Sequence, residues 1–183
     1  MKPEIPIDKI TLILGGARSG KSSFAEKIAR EAGKNVLFIA TATAGDDEMT
    51  ERIHNHRASR PAEWQTLELT HDLGSNLAAP VADIVIVDCI TLLISNILLS
   101  LPENTPIEAV MQKISLEIDE LIAAHDRLGG QWLLISNEVG MGIVPPYSLG
   151  RVYRDALGWA NQALARSAQR VILMVAGIPM VIK

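Results

Sequence analysis

The sequence has very little cysteine and no excess of basic residues, and each shortage excludes a class of protein. Its one cysteine, Cys89, excludes an internal disulfide framework and any zinc site built from several cysteines, and it suits a reducing compartment. The formal net charge is −4, whereas domains dedicated to nucleic acid usually carry a basic excess. We therefore expect a cytoplasmic protein with no nucleic acid as its partner.

Long apolar segments are also missing. The most apolar stretch, residues 84–99, is interrupted by Asp88, Ser95 and Asn96 and is too short to cross a bilayer. The first ten residues, MKPEIPIDKI, do not contain the apolar core of a secretory signal peptide. We accordingly predict no membrane span and no export signal.

Short apolar runs are abundant, and they predict a sheet. Hydrophobic residues make up 48% of the 183, which is enough for a sizeable core and argues against disorder over most of the chain. Five of the runs are nearly continuously apolar, which is typical of parallel strands covered on both faces. They occupy residues 10–14, 35–40, 83–88, 132–136 and 171–175.

Helical patterns lie between these strands, over residues 21–32, 46–58, 89–100, 107–127 and 150–168. The last eight residues predict a turn and a final short strand, for which an antiparallel orientation is open. No internal repeat, low-complexity tract or long linker divides the sequence. Alternating strands and helices therefore predict a three-layer α/β fold, with residues 1–183 as a single domain.

Directly after the first apolar run, residues 15–23 read GGARSGKSS and match the phosphate-loop pattern G-x-x-x-x-G-K-[ST]. A strand is predicted before the motif and a helix after it, which is the context that the motif requires. Successive backbone N–H groups and the start of the helix should bind phosphate. Lys21 should reach the β- and γ-phosphates, and Ser22 should ligate Mg²⁺. The predicted nucleotide contacts are Gly15, Gly16, Ala17, Arg18, Ser19, Gly20, Lys21 and Ser22.

Asp88 closes the third apolar run, where a phosphate-loop protein commonly has the carboxylate that organises its metal ion. The loop and this carboxylate together predict a catalytic P-loop nucleotide-binding domain. Its central sheet should be mostly parallel and RecA-like, with a short strand at the C-terminus. The reaction stays open at this point, because kinases, motors, switches and transferases share such folds.

Five segments of the chain occur in an order that resembles one known family. They are GGARSGKSSFAEKIA, IATATAGDDEMTERIHNHRASRPAEW, VDCITLLISNIL, SNEVGMGIVP and VAGIPMVIK. Together they resemble the adenosylcobinamide kinase / adenosylcobinamide-phosphate guanylyltransferase family of cobalamin biosynthesis, from about residue 10 to the C-terminus. The motifs NEVGMGIVP and H-x-x-x-R-P are far more specific than the phosphate loop.

The resemblance implies two reactions on small-molecule substrates. In the first, adenosylcobinamide is phosphorylated with ATP or GTP. In the second, GMP passes from GTP to adenosylcobinamide phosphate through a guanylylated histidine, which gives adenosylcobinamide-GDP and pyrophosphate. Mg²⁺ is the implied cofactor, and a homo-oligomer, with a trimer as the best guess, is the implied assembly.

The resemblance places the nucleophilic histidine a few residues before an Arg-Pro pair, which indicates His56, with His54 as the alternative. Neutral imidazole can attack a phosphate without a strong base. On a helix over residues 46–58, side chains two positions apart point about 200° apart, so the two histidines would not face one ligand. Neighbouring cations, Arg57 and Arg60, would stabilise charge on the phosphoryl oxygens.

Other site residues follow from the same resemblance. Glu68 corresponds to an acid that contacts guanosine. The role of Asp88 stays open between binding Mg²⁺ and contacting guanosine. The role of Glu138 stays open between orienting or deprotonating the substrate hydroxyl and capping the adjacent loop. The remaining nucleotide contacts that the resemblance implies are Ala40, Thr41, Ala42, Arg57, Ala58, Ser59 and Arg60.

Two other functions stay open from the residues alone. One is a monofunctional P-loop kinase acting on another small alcohol, which would have no need of His56. The other is a nucleotide-binding switch module. A covalent GMP adduct after incubation with GTP and Mg²⁺ is expected only of the bifunctional enzyme.

Overall fold

The computed structural model of the chain describes residues 8–43, 60–78 and 82–183. Seven strands form one sheet: β1 (Ile10–Gly15), β2 (Val36–Ala40), β3 (Gln65–Glu68), β4 (Ile84–Asp88), β5 (Gln131–Ile135), β6 (Arg170–Val175) and β7 (Ile178–Val181). Their order across the sheet is β3-β2-β4-β5-β1-β6-β7. Neighbouring strands are parallel except β6 and β7, which pair antiparallel.

Helices cover both faces of this sheet. They are α1 (Lys21–Glu31), α2 (Leu73–Asn76), α3 (Ile90–Ser100), α4 (Ile107–Leu128) and α5 (Ser148–Ser167). One core lies between the sheet and α3, α4 and α5, and a second lies between the sheet and α1. In the part of the chain that the structure describes, no helix has the length and apolar character that crossing a membrane requires.

The five strands predicted from apolar runs, β1, β2, β4, β5 and β6, are nearly continuously apolar because both of their faces are largely buried. Along β2, Leu37 and Ile39 enter the core under α3, α4 and α5, whereas Val36 and Phe38 enter the core under α1. An antiparallel strand with one wet face would alternate instead. The predicted three-layer fold, with its mostly parallel sheet and short C-terminal strand, is confirmed, and the orientation of that strand, which the sequence left open, is antiparallel.

Helix α4 shows how local sequence sets the length of an element. It follows Pro106, whose fixed φ and missing N–H suit the start of a helix rather than its interior. It stops at Gly129, which has a φ of 68° and donates its N–H to the carbonyl of His125. Its buried apolar residues recur at helical spacing: Val110, Ile114, Ile118 and Leu121.

Two elements were not predicted from the sequence. Strand β3 reads QTLE, and three of its four residues are exposed, so it carries no apolar run. Helix α2 has only four residues, which is too short for a periodic pattern. The helix predicted over residues 46–58 lies outside the described residues.

Helix α2 is held against α4 by contacts that are remote in sequence. The buried carboxylate of Glu117 accepts the backbone N–H groups of Asp72 and Leu73, both at 2.8 Å. A β-carbon added at Gly74 would overlap the backbone carbonyl of Glu120. The two helices therefore approach so closely that only glycine fits at this position.

We expect Gly74→Ala to lower the free energy of unfolding by about 1–3 kcal/mol, because the new methyl group forces α2 away from α4. Gly158→Ala is the matched control, since a β-carbon there meets nothing within 4 Å. In the middle of a helix that change should raise stability by about 0.5–1 kcal/mol. Urea denaturation followed by circular dichroism measures both. Equal stability of Gly74→Ala and the wild type would contradict the close approach.

Candidate active site

The predicted site residues of the described chain gather at the carboxyl ends of the parallel strands. Gly15 ends β1, Ala40 ends β2 and Asp88 ends β4. Ala40 is in register with Glu68 on one side and with Asp88 on the other. Ligands of open α/β sheets bind at this edge. The fold thus brings the phosphate loop and both predicted carboxylates to one edge of the sheet.

Two glycines of the phosphate loop are required by the backbone. Gly15 has a φ of 151° and Gly20 a φ of 94°, both in the region that residues with a side chain rarely adopt. A β-carbon on Gly15 would also lie 2.6 Å from the carbonyl oxygen of Met174 and 2.6 Å from Ser19 Oγ. The backbone angles at both residues, and the lack of space for a β-carbon at Gly15, therefore require glycine at the first and sixth positions of the loop.

Lys21 is held inside the loop that it follows. Its Nζ donates to the carbonyl oxygens of Gly15 at 3.0 Å and of Gly16 at 2.7 Å. The side chain is only 7% exposed. An ammonium group in such a sparsely hydrated position interacts strongly with negative charge. When a nucleotide binds, the ammonium group of Lys21 is therefore well placed to bind phosphate oxygens instead of these two backbone carbonyls.

Thr41 joins the ends of β2 and β4. Its N–H donates to the carbonyl of Asp88 at 3.1 Å, and its hydroxyl both donates to the carbonyl of Cys89 at 2.8 Å and accepts the Cys89 N–H at 2.7 Å. The Asp88–Cys89 peptide bond is cis. Asn96 Nδ2 donates to the carbonyls of Thr41 at 2.8 Å and Thr70 at 3.2 Å. These hydrogen bonds fix the backbone of residues 88 and 89, and with it the start of the Asp88 side chain.

Cys89 is a protonated thiol at neutral pH. Burial, and after it the negative charge of Asp88, raises the pKa of the thiol from 9.0 to about 11, while the charge of Lys21 acts in the opposite direction. The thiolate is the nucleophilic form of cysteine, so this rise in pKa works against a nucleophilic role for Cys89.

Glu138, three residues after the end of β5, contacts the phosphate loop through its backbone. Its N–H donates to the carbonyl of Gly15 at 3.1 Å, and its Oε1 accepts the Gly140 N–H at 2.6 Å. The second contact is the loop-capping role that the sequence left open for this carboxylate. A role toward the substrate hydroxyl stays a prediction.

The other predicted contacts lie along β2 and β3. The guanidinium carbon of Arg60 lies 3.5 Å from the ring centroid of Phe38, so at least part of this side chain packs on the sheet. Glu68 is exposed, and Ala42 is half-buried. The histidine pair, His54 and His56, and residues Arg57, Ala58 and Ser59 lie outside the described residues.

Ser22 and Asp88 offer the oxygen ligands that a hard cation prefers. Both are half-buried; Ser22 lies in the first turn of α1 and Asp88 at the end of β4. Within residues 8–43, 60–78 and 82–183, no group of three or more His, Cys, Asp or Glu side chains forms a metal cage. Mg²⁺ is commonly bound by one or two protein oxygens together with phosphate oxygens and water. The donor set therefore fits Mg²⁺ bound with a nucleotide.

The model of one protein family, described as cobinamide kinase / cobinamide phosphate guanyltransferase, matches residues 11–182. The chain belongs to this family. It is 46% identical over 174 residues to the bifunctional adenosylcobalamin biosynthesis protein CobP of Pseudomonas aeruginosa, covering 94% of this chain and 96% of that protein. It is 44% identical over 179 residues to the bifunctional protein CobU of Salmonella typhimurium, covering 94% and 98%.

A solved structure is similar in fold alone. The flagellar accessory protein FlaH of Methanocaldococcus jannaschii aligns with a TM-score of 0.54 at 15% identity, over 98% of this chain and 80% of that one. Membership of the family confirms the resemblance found in the sequence and makes the chain one of a family of bifunctional kinase and guanylyltransferase enzymes. None of these similarities favours a monofunctional kinase or a switch module.

We expect Cys89 of the folded protein to resist alkylation by iodoacetamide at pH 8. A rise in pKa of about two lowers the thiolate fraction about 100-fold at this pH. Intact mass spectrometry over time measures the rate, and the urea-unfolded protein is the control for a freely reacting thiol. Asp88→Asn should speed the reaction, because it removes a charge that raises the pKa. A folded wild type that reacts as fast as the unfolded chain would contradict the assignment.

Proposed function

We propose that the chain phosphorylates adenosylcobinamide with ATP or GTP and then transfers GMP from GTP to adenosylcobinamide phosphate. The products are adenosylcobinamide-GDP and pyrophosphate. The observation that carries the proposal is a phosphate loop with a buried lysine at the carboxyl edge of the sheet, in a chain of the cobinamide kinase family. The family is described by both activities, and the relatives are bifunctional proteins, which supports both halves of the proposal. We further propose a cytoplasmic homo-oligomer, with a trimer as the assembly that the resemblance favours.

In the first reaction, the hydroxyl oxygen of the substrate attacks the γ-phosphorus of the nucleotide. The bond from that phosphorus to the β–γ bridging oxygen breaks, and the hydroxyl proton leaves with a base or solvent. The loop N–H groups and the ammonium of Lys21 bind the phosphate oxygens and offset their charge. Ser22 and Asp88 would hold Mg²⁺, which would further neutralise the phosphates when bound.

In the second reaction, an imidazole nitrogen of His56 attacks the α-phosphorus of GTP, and the bond to the α–β bridging oxygen breaks to release pyrophosphate. A phosphate oxygen of adenosylcobinamide phosphate then attacks the same phosphorus, and the phosphorus–nitrogen bond breaks. Arg57 and Arg60 are proposed to stabilise the phosphoryl charge. His54 is the alternative nucleophile.

The remaining nucleotide contacts are proposed on the side of Asp88 that faces β2 and β3. The register across β3, β2 and β4 supports this, because it sets Glu68, Ala40 and Asp88 side by side at one edge. Glu68 is proposed to contact guanosine, and Asp88 either guanosine or Mg²⁺. Ala40, Thr41 and Ala42, at the end of β2, are proposed to contact the nucleotide through their own backbone. Ala58 and Ser59, between the arginines, are further proposed nucleotide contacts.

We expect His56→Asn to abolish the covalent GMP adduct while phosphorylation of adenosylcobinamide continues, because only the second reaction needs the imidazole. The protein is incubated with GTP labelled at the α-phosphate, quenched and digested, and an acid-labile label is sought on residues 51–60. His54→Asn is the matched control and should keep the label. Label retained in His56→Asn but lost in His54→Asn would assign the nucleophile to His54. A wild type without label would leave only the kinase or switch function.

We expect Lys21→Ala to slow both reactions by about 10²–10³-fold, because one ammonium group stabilises the phosphates in each. Lys27→Ala is the control on the same helix, since Lys27 is exposed and pairs only loosely with Glu31, at 3.7 Å. Rates of phosphorylation and of adduct formation are measured separately at saturating nucleotide. If Lys21→Ala left one of the two rates unchanged, the reactions would not share this loop.

A further inference from the structure

Three buried polar side chains meet at the carboxyl end of β5. Ser136, next to the strand, donates its hydroxyl to Asn161 Oδ1 at 2.6 Å. Asn161 Nδ2 donates to the carbonyl of Asn137 at 3.0 Å, and the Asn137 N–H donates to Thr91 Oγ1 at 2.7 Å. Ser136, Asn161 and Thr91 are 0%, 6% and 5% exposed. Side chains from α3 and α5 thus bind both backbone groups of Asn137.

This network defines backbone geometry more than it adds stability. A buried hydrogen bond contributes little net free energy, because the unfolded chain makes the same bonds to water. Leaving either partner unsatisfied is costly, so the bonded arrangement is strongly preferred over others. The polar residues therefore hold the chain in one conformation where it leaves the sheet.

The fixed backbone reaches the phosphate loop one residue later. The Glu138 N–H donates to the carbonyl of Gly15 at 3.1 Å. The same oxygen accepts from Lys21 Nζ at 3.0 Å. The position of residues 137 and 138 is thus tied to the lysine that is proposed to bind the γ-phosphate.

The loop of residues 139–147 is also held by hydrogen bonds at its far end. Arg151 donates to the carbonyls of Pro145 at 3.1 Å and Pro146 at 2.7 Å. Between these ends, Met141 and Ile143 are 83% and 96% exposed. Exposed apolar side chains such as Met141 and Ile143, on a loop held at both ends beside a phosphate site, are suited to contact a ligand.

We infer that Thr91 and Asn161 are positioning residues for phosphoryl transfer. They fix residues 137 and 138 against the phosphate loop, and so set where the loop of residues 139–147 places the substrate alcohol relative to the γ-phosphate. The inference rests on the proposed kinase activity. A misplacement of about 1 Å can slow such a step about 100-fold. Formation of the GMP adduct from GTP alone involves no alcohol, so it should not depend on either residue.

Thr91→Val tests this inference, because it removes the hydroxyl and keeps the shape of the side chain. We expect kcat for phosphorylation to fall about 10- to 100-fold, while the Kd for GTP and the rate of adduct formation stay within about 2-fold of the wild type. Thr91→Ser retains the hydroxyl and should restore most of kcat. Asn161→Leu removes the hydrogen bond to the carbonyl of Asn137 and should lower kcat as Thr91→Val does. If Thr91→Val does not fold, Asn161→Leu tests the inference in its place.

The matched control is Thr11→Val. Thr11 is also a buried threonine whose Oγ1 accepts a backbone N–H, from Asp8 at 3.3 Å, but it lies near the amino end of β1. It should lose comparable thermal stability and keep kcat. An unchanged kcat in Thr91→Val and Asn161→Leu would overturn the inference, as would an equal fall of kcat and of the adduct rate. A wild type with adduct formation but no kinase activity would defeat the proposed kinase itself, before any variant is compared.

Discussion

The geometry of the site depends on one atom, the carbonyl oxygen of Gly15. It accepts one hydrogen bond from Lys21 Nζ and another from the Glu138 N–H. The residue must be glycine, because a β-carbon there would overlap Ser19 Oγ and the carbonyl of Met174. The end of β1 therefore holds the phosphate-binding lysine and the start of the β5 loop through one atom.

Neighbouring strands hold this region from both sides. On the β5 side, the Ser136 N–H donates to the carbonyl of Ile13 at 3.0 Å. On the β6 side, the Gly177 N–H in the turn before β7 donates to the carbonyl of Ser19 at 3.0 Å. A loop bound on two sides needs little rearrangement when a ligand arrives, which lowers the entropic cost of binding.

Local patterns were sufficient to predict the phosphate loop, Asp88 and the parallel strands, since each depends on residues close together in sequence. Strand β3 was missed because an exposed edge strand has no apolar run, and α2 because Glu117, its anchor, lies more than forty residues away. Thr91 and Asn161 were missed for a related reason. In the sequence, nothing distinguishes these two from the other polar residues of their helices, and only the folded chain shows that both side chains reach Asn137.

The two proposed reactions draw on different strands of one sheet edge. The substrate alcohol would lie by the β5 loop, next to β1, whereas the chain that carries the histidines leaves the sheet after β2 and re-enters the described structure at Arg60. From β5 to β2 there are two strand spacings, about 10 Å. No single side chain on one of these strands covers that distance. Contacts that align the alcohol on the γ-phosphorus can therefore be rigid without also fixing the imidazole that must reach the α-phosphorus. One phosphate loop would suffice for the two proposed reactions, because the β5 loop and the segment that follows β2 begin at different strands of the same edge.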